Sequence, residues 1–128
     1  FDAQAAAEVG ANLMVSALAK TPFVHNLGFL SGGRTGSLEM LTLCDEMIGW
    51  ISKMANGVSV NADTLALPVI QRAVPNNDFL TDSHTQGRFL TENWYPNLSE
   101  RSDAEAWQEA GALDMQARVK QKLRDILD

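Results

Sequence analysis

Residues 37–56 carry apolar side chains at the spacing of one continuous face of an α-helix. The polar positions fall mostly on the opposite side, and the adjacent Asp45 and Glu46 are interpreted as solvated charges. Ser37 is expected to cap the first turn, and Gly57 to follow the last turn in a left-handed conformation. A helix of about five turns with this face must lie along a large surface. The apolar positions are Met40, Leu41, Cys44, Met47, Ile48, Ile51, Met54 and Ala55.

Composition limits what can surround this helix. A length of 128 residues, with 45% hydrophobic and 20% charged residues, is typical of one globular domain with its own core. The net charge of -6 argues against nucleic acid or an anionic membrane as a partner. No apolar run approaches the ~20 residues that a membrane-spanning helix needs. The single cysteine, Cys44, lies in the apolar face, which predicts a buried thiol of normal or raised pKa and a cytoplasmic, reducing compartment.

Metal chemistry has little support in the pattern. The two histidines, His25 and His84, are far apart and no paired cysteine or histidine spacing is present, so no metal site is predicted. A nucleophilic pair of Cys44 with a histidine is a much weaker interpretation than an inert buried thiol. His84 lies near a predicted helix start. Its ring either donates to a ligand or helps to close the helix N-terminus, and the pattern favours the second.

The residues before the long helix indicate a helix, a short strand and a glycine-rich loop. Asp2 is expected to cap a helix over residues 3–20. Residues 23–27 are β-prone but have no partner strand elsewhere in the chain, so their sheet neighbours are expected upstream of Phe1. This order is typical of an α/β repeat, and the start at Phe1 indicates a fragment of a longer protein. Residues 28–36 are either a plain connector or a ligand-facing βα loop.

Four further helices are predicted after residue 58. Pro68 would break a single helix capped at Asn61, so a later start capped by Thr64 is favoured. Asp82 or Ser83 is expected to cap the next helix, and the last two follow a capping-box pattern and Gly111. The predicted ranges are residues 64–74, 84–93, 102–110 and 113–127.

Three stretches together carry a family resemblance. The first is LGFLSGGRTGSLEML followed by DEMIGWI, which combines a Gly/Leu loop, a Ser-x-Glu helix start and an Asp-Glu pair. The second is NADTLALPVI, then DFLTDSHTQGRF and WYP, and the third is EAWQEAGALDMQARVKQKLRDIL. In their order and spacing they resemble the C-terminal part of the trimethylamine/glycine betaine:corrinoid methyltransferase family. The chain departs from the family pattern at Arg34, Gly36 and Gly87.

The resemblance implies a fold larger than this chain. It implies that the fragment is mainly α and contains the C-terminal βα unit of a (β/α)8 TIM barrel plus a helical extension. Residues 1–58 would form the last helix-strand-helix portion of the barrel, and residues 59–128 the extension. Residues 23–27 would then be the last barrel strand, and residues 28–36 its loop on the catalytic face.

The resemblance also implies an activity for the whole protein. A methyl group would move from a tertiary or quaternary amine, such as trimethylamine or glycine betaine, to the cobalt of a corrinoid (cobalamin) carried by a partner corrinoid protein. The fragment itself would bind no cofactor and be inactive, and a homo-oligomer is expected. The alternative is a non-catalytic helical interaction module whose apolar stripes are all covered internally.

The family resemblance also implies which residues bind the substrate. A quaternary ammonium cannot be deprotonated and is held by aromatic faces or carboxylates, to which Phe23, Phe29 and Glu39 can contribute. The catalytic residues would lie upstream of Phe1. The implied substrate-binding residues are Gly28, Phe29, Leu30, Ser31, Gly33, Glu39, His84 and Thr85.

Overall fold

The computed structural model describes residues 1–75 and 78–128, and this part of the chain is mainly α-helical. Two compact units are formed, one from Phe1–Ala55 with Pro96–Asp128 and the other from Asn56–Tyr95. The elements are α1 (Ala3–Leu18), β1 (Phe29–Leu30), a 3-10 turn (Ser31–Gly33), β2 (Thr35–Gly36), α2 (Leu38–Ala55), α3 (Ala62–Leu65), α4 (Leu67–Ala73), α5 (Ser83–Glu92), α6 (Ala104–Glu109) and α7 (Met115–Leu127).

Helix α2 is the central helix of the first unit, and α1 and α7 both pack against it. The core around it joins Met40, Leu43 and Cys44 to Leu98 and to Val119 of α7. The predicted apolar face is confirmed in the middle of α2, but Leu41 and Met54 at its flanks are about half exposed. The predicted start is also confirmed, because the Met40 N–H donates to the Ser37 hydroxyl at 3.1 Å.

Residues 23–27 do not form the predicted strand. They are irregular, Phe23 is 76% exposed, and the backbone groups of Phe23, Val24 and His25 make no hydrogen bond to any described residue. The strands that do form are β1 and β2, an antiparallel pair within the stretch predicted as a loop. A strand needs a neighbour to pair with, and only the tight turn between β1 and β2 supplies one among the described residues. The chain therefore does not form a barrel βα unit by itself.

At the start of the second unit the helix cap is Asn61, and the prediction that favoured Thr64 is wrong. Asn61 caps α3, and its side chain and that of Thr64 form a reciprocal capping box. Ala66, at φ 50°, ends α3 in a left-handed conformation, and α4 begins at once. Pro68 then lies in the first turn of a new helix, where no backbone N–H is needed. A break between two short helices removes the conflict that favoured the later start.

Paired side chains connect α4 to α5 within the second unit. Arg72 donates from Nε and Nη2 to the two carboxylate oxygens of Asp82, at 2.8 and 2.9 Å. Asp82 also caps α5 by accepting the His84 N–H at 2.9 Å, as predicted. Val69 and Ala73 are the buried apolar residues of α4. The unit is thus held by a small core and a bidentate ion pair.

The last two helices agree with their predicted positions. Asp103 caps α6 by accepting the Ala106 N–H, so the capping box predicted from Ser102 does not form. Asp114 caps α7 by accepting the Ala117 N–H. Residues 96–128 belong to the same compact unit as residues 1–55. The boundary at residue 58 between a barrel portion and a helical extension stays a prediction. None of the described helices combines the length and the apolar character that crossing a bilayer requires.

Candidate functional site

The glycine-rich stretch folds into a hairpin between α1 and α2. Phe29 pairs with Gly36 and Leu30 with Thr35, and the tip carries Ser31, Gly32 and Gly33 at φ values of 55°, 64° and 83°. Three consecutive left-handed residues turn the chain sharply, and two of them are glycines, which adopt this conformation without a steric penalty. Ser31 is the exception, and left-handed backbone of this kind is common at ligand-contacting loops.

Gly28 anchors the hairpin to α2. It is buried, its carbonyl accepts the Ser37 N–H at 2.8 Å, and its φ is +75°. A Cβ at this position would lie 2.8 Å from the Leu41 Cβ and 3.2 Å from the Ser37 carbonyl oxygen. Only glycine satisfies both the backbone conformation and this close approach. These contacts give Gly28 a structural role, and its part in substrate binding stays a prediction.

Four of the predicted site residues line one open groove. Phe29, Leu30, Ser31 and Gly33 form one wall of a cavity of about 560 Å³, and α1 forms the other wall. The α1 wall and the residues around it are polar and acidic; they include Asp2, Gln4, Glu8, Asn12 and Asn26. The hairpin thus brings an aromatic ring and two carboxylates to the same opening.

The two carboxylates of the groove already have protein partners. Asp2 accepts the Ala5 N–H at 2.9 Å as the cap of α1, and Glu8 accepts from Gln4 Nε2 at 2.8 Å. Each carboxylate has further lone pairs, so both can also attract a cation in the groove. With the half-exposed ring of Phe29, this arrangement suits a methylated ammonium ion better than an anion or a metal.

Glu39 lies outside this groove, at the start of α2. Its carboxylate accepts the Ser37 hydroxyl at 3.1 Å. Hydrogen bonds from its own backbone N–H and from Ser37 hold the pKa of Glu39 below its ordinary value of 4.5. The first turn of a helix favours such a negative charge, which accounts for Glu39 without a ligand.

His84 and Thr85 belong to the second unit. The His84 ring Nε2 lies 2.8 Å from the carbonyl oxygen of Asp63 in α3. The Asp63 carboxylate also pairs with Arg88. The ring therefore connects two helices, and the favoured prediction that it closes the N-terminus of its own helix is wrong, because Asp82 caps α5. Thr85, the next residue, is half-buried.

Glu46 is the residue that the sequence pattern misplaced. It was interpreted as a solvated charge, yet it is only 6% exposed. Its carboxylate accepts three consecutive backbone N–H groups, from Asn97 at 3.1 Å, Leu98 at 3.1 Å and Ser99 at 2.8 Å. These donors lie 51 to 53 positions along the chain, and no local pattern connects them to Glu46.

Burial and hydrogen bonding act on the pKa of Glu46 in opposite directions. Burial raises the pKa, whereas the N–H groups of Ser99, Leu98 and Asn97 and the Ser99 hydroxyl lower it, and their sum holds it below 4.5. Cys44, two residues earlier, is fully buried, and burial raises the pKa of its thiol against a weaker contribution from the Gly28 backbone. The prediction of an unreactive buried thiol is confirmed.

The described residues do not converge as ligands for a cobalt atom would. The acidic groove and a second, largely apolar opening of about 570 Å³ between α2 and α7 contain no imidazole among their described lining residues. Within the described part of the chain, no three His, Cys, Asp or Glu side chains converge as a metal site would require. The chemistry that these residues offer is the holding of a small cation.

Comparison with known proteins supplies the remaining evidence. The family model for trimethylamine methyltransferase (MTTB) matches residues 1–128. Trimethylamine methyltransferase MttB of Desulfitobacterium hafniense is 32% identical over 127 residues, covering 99% of this chain and 25% of that protein. Glycine betaine methyltransferase of the same species is 32% identical over 127 residues, covering 98% and 26%. Trimethylamine methyltransferase MttB2 of Methanosarcina mazei is 32% identical over 129 residues, covering 98% and 25%. The chain spans about a quarter of the length of these curated relatives.

Proposed function

Since the chain belongs to the trimethylamine methyltransferase (MTTB) family, we propose that it is part of an enzyme that removes a methyl group from a methylated amine. The observation that carries the proposal is the family match over residues 1–128. The substrate would be a tertiary or quaternary amine, because the relatives are named for trimethylamine and for glycine betaine. The activity is proposed for the longer protein, and the 128-residue chain alone is expected to be inactive.

The proposed methyl acceptor is a corrinoid on a separate corrinoid protein, as the family resemblance implies. A corrinoid supplies a cobalt atom that accepts the methyl group. Since the hairpin groove offers an aromatic ring and two carboxylates, we assign it a role toward the amine. Homo-oligomerisation and a cytoplasmic location remain predictions.

We propose that the hairpin groove contributes to amine binding. The ring of Phe29 would contact the methylated ammonium, and the carboxylates of Asp2 and Glu8 would supply negative potential from the opposite wall. Neither interaction requires a proton to move, which is necessary because a quaternary nitrogen has no proton to lose. The backbone of Ser31 and Gly33 would close the groove at the hairpin tip.

We further propose that residues 23–27 become a strand of a (β/α)8 barrel in the longer protein. Three facts support this: residues 23–26 are exposed, the backbone groups of Phe23, Val24 and His25 are unpaired within the described chain, and the segment lies just before the hairpin. Unpaired backbone groups bury well only against a neighbouring strand. The hairpin would then lie at the carboxyl end of that strand, where barrel enzymes bind substrates.

Methyl transfer by the longer protein tests the proposed function. The purified protein is incubated with reduced cobalamin and a panel of trimethylamine, glycine betaine and related amines, and methylcobalamin is followed by absorbance. We expect turnover with at least one amine. Absence of turnover across the panel, with folded protein and a working assay, would overturn the assignment.

A matched pair of variants tests the groove separately. Phe29→Leu keeps an apolar side chain but removes the π face, and Phe89→Leu makes the same change at a ring of similar exposure, 48% against 50%. Loss of a cation–π contact of about 0.5–2 kcal/mol predicts a rise in KM of about 2- to 30-fold for Phe29→Leu. Equal KM values for the two variants would remove Phe29 from the site while leaving the family assignment intact.

The alternative of a self-contained interaction module fits the structure less well. It requires that all apolar stripes are covered within the chain. Yet Leu18 and Phe23 in the first unit, and Val58 and Leu80 in the second, are each more than 70% exposed. Such surfaces are expected where further protein packs against the chain. Size-exclusion chromatography separates the two ideas, because a self-contained module should elute as a single monomer.

A further inference from the structure

We propose that Glu46, the backbone of residues 97–99 and Arg118 form a latch that keeps α7 closed over Cys44, and that loss of the Glu46 charge opens it locally. The name Glu46 latch refers to these residues. The backbone of Leu98 is its centre: its N–H donates to Glu46 Oε1 at 3.1 Å, and its carbonyl accepts from Arg118 Nε at 2.7 Å. A carboxylate on α2 and a guanidinium on α7 thereby bind the backbone of the same residue.

The latch lies directly over the core of the first unit. The Leu98 side chain is buried in one cluster with Cys44 and Val119. Arg118 also donates to the carbonyl of Leu113, just before α7 begins. Moving residues 97–99 away from α2 would therefore uncover the thiol and loosen the start of α7 together.

A charged acceptor is what this geometry requires. Three consecutive N–H groups converge on two oxygens, and hydrogen bonds to an ionised acceptor are roughly twice as strong as neutral ones. Glutamine at position 46 keeps one oxygen but turns an NH2 group toward backbone donors. At least one of the three N–H groups would then lose its acceptor and face a second donor, which weakens the attachment of residues 97–99 to α2.

Among the charged groups near the latch, Glu46 is the one whose protonation would remove the charged acceptor. On α2 its neighbour is Asp45, on α7 Lys122 lines the same opening, and Arg118 is connected through the Leu98 peptide. Glu100 follows the three donors along the chain, and on α1 the nearest acidic groups belong to the separate groove of Asp2 and Glu8. No cation pairs directly with Glu46 among the described residues.

The direction of the pH effect follows from these contacts. The pKa of Glu46 in the folded chain is lower than 4.5, so the Glu46 charge contributes fully to the stability of the latch above pH 4.5. The contribution is lost as the pH falls through the lowered value, and the latch is expected to open in that window. Glu39 and Glu100 also have lowered pKa values, so a variant at position 46 is needed to assign the effect.

Labelling of the single thiol measures the opening directly. The 128-residue chain is treated with a pyridyl disulfide, and the rate at Cys44 is divided by the rate in denatured chain at the same pH. We expect Glu46→Gln to label about tenfold faster or more at neutral pH, which corresponds to about 1.4 kcal/mol. The control Asp45→Asn removes an adjacent exposed carboxylate and should leave the rate unchanged. Equal rates for the two variants would overturn the latch.

Hydrogen exchange separates a latch from a general loss of stability. In Glu46→Gln the amides of Asn97, Leu98 and Ser99 should exchange faster, while those of Leu13 and its neighbours in the second half of α1 keep their protection. If α1 loses protection equally, Glu46 only stabilises the whole fold and the proposal fails.

Two further measurements keep the proposal falsifiable if Glu46→Gln does not fold. The first uses the unaltered chain: below pH 4.5 Cys44 labelling should accelerate before α1 loses protection, and simultaneous loss would refute the latch. The second uses Arg118→Met, which should speed labelling, with the exposed Arg124→Met as its control. No difference between the two arginine variants would likewise contradict the proposal.

Discussion

Replacing Gly28 by alanine should destabilise the chain far more than the same change elsewhere in the hairpin. Two costs add at this position. A left-handed φ of +75° costs a residue with a Cβ about 1–2 kcal/mol. The new Cβ would also lie 2.8 Å from the Leu41 Cβ and 3.2 Å from backbone, which is overpacking worth about 1–3 kcal/mol. The expected loss is about 2–5 kcal/mol, a large share of the 5–15 kcal/mol typical of a domain.

Two matched glycines separate these costs. Gly32 has a φ of +64° but no atom within 4 Å of a new Cβ, so Gly32→Ala should cost only the backbone term of about 1–2 kcal/mol. Gly36 has neither a left-handed φ nor a close neighbour, so Gly36→Ala should be neutral or stabilise by up to about 1 kcal/mol. Urea unfolding followed by circular dichroism gives the three values. Equal losses for Gly28→Ala and Gly32→Ala would refute the argument that close packing against α2 requires glycine.

Three other predictions follow from the packing. Leu43→Ala should lower the free energy of unfolding by about 2–5 kcal/mol, and Leu41→Ala, at a 45% exposed side chain, by less than about 1 kcal/mol; urea unfolding measures both. Ala66→Gly should stabilise the chain by about 0.5–1 kcal/mol, because Ala66 has a φ of 50° between two helices; a loss of stability would contradict this. The Arg72 side chain lowers the pKa of Asp82, so the Arg72–Asp82 pair stabilises the fold fully above pH 3.8. This stabilisation is lost as the pH falls through the lowered pKa of Asp82. Arg72→Met should therefore flatten the acid dependence of stability in a circular dichroism titration.

Local patterns predicted most of the helices correctly. Capping side chains and apolar spacing act within a few residues, so Asp2, Asp82 and the pattern at residues 102–105 located α1, α5 and α6 within one or two residues. The same local reasoning recognised the stretch at residues 28–36 as special. It did not reveal that Gly28 packs against α2, because the contact joins two elements.

The strand predicted at residues 23–27 shows where local reasoning ends. β-propensity describes how side chains fit a sheet, and a sheet requires a second segment of backbone. The hairpin supplied that segment to Phe29 and Leu30, and the described chain supplied none to residues 23–27.

By itself, the sequence determined the helical character of the chain, the apolar face of α2, the inert Cys44 and the family resemblance, because each depends on residues that are near neighbours or on their linear order. Only the tertiary structure decided that Glu46 is buried, that its carboxylate binds residues 97–99, and that Phe29 lies across a groove from Asp2 and Glu8. A carboxylate next to Asp45 on a helix looks solvated until a distant loop brings three N–H donors to it. Burial of a charge depends on such partners, and their positions are fixed only when the helices pack.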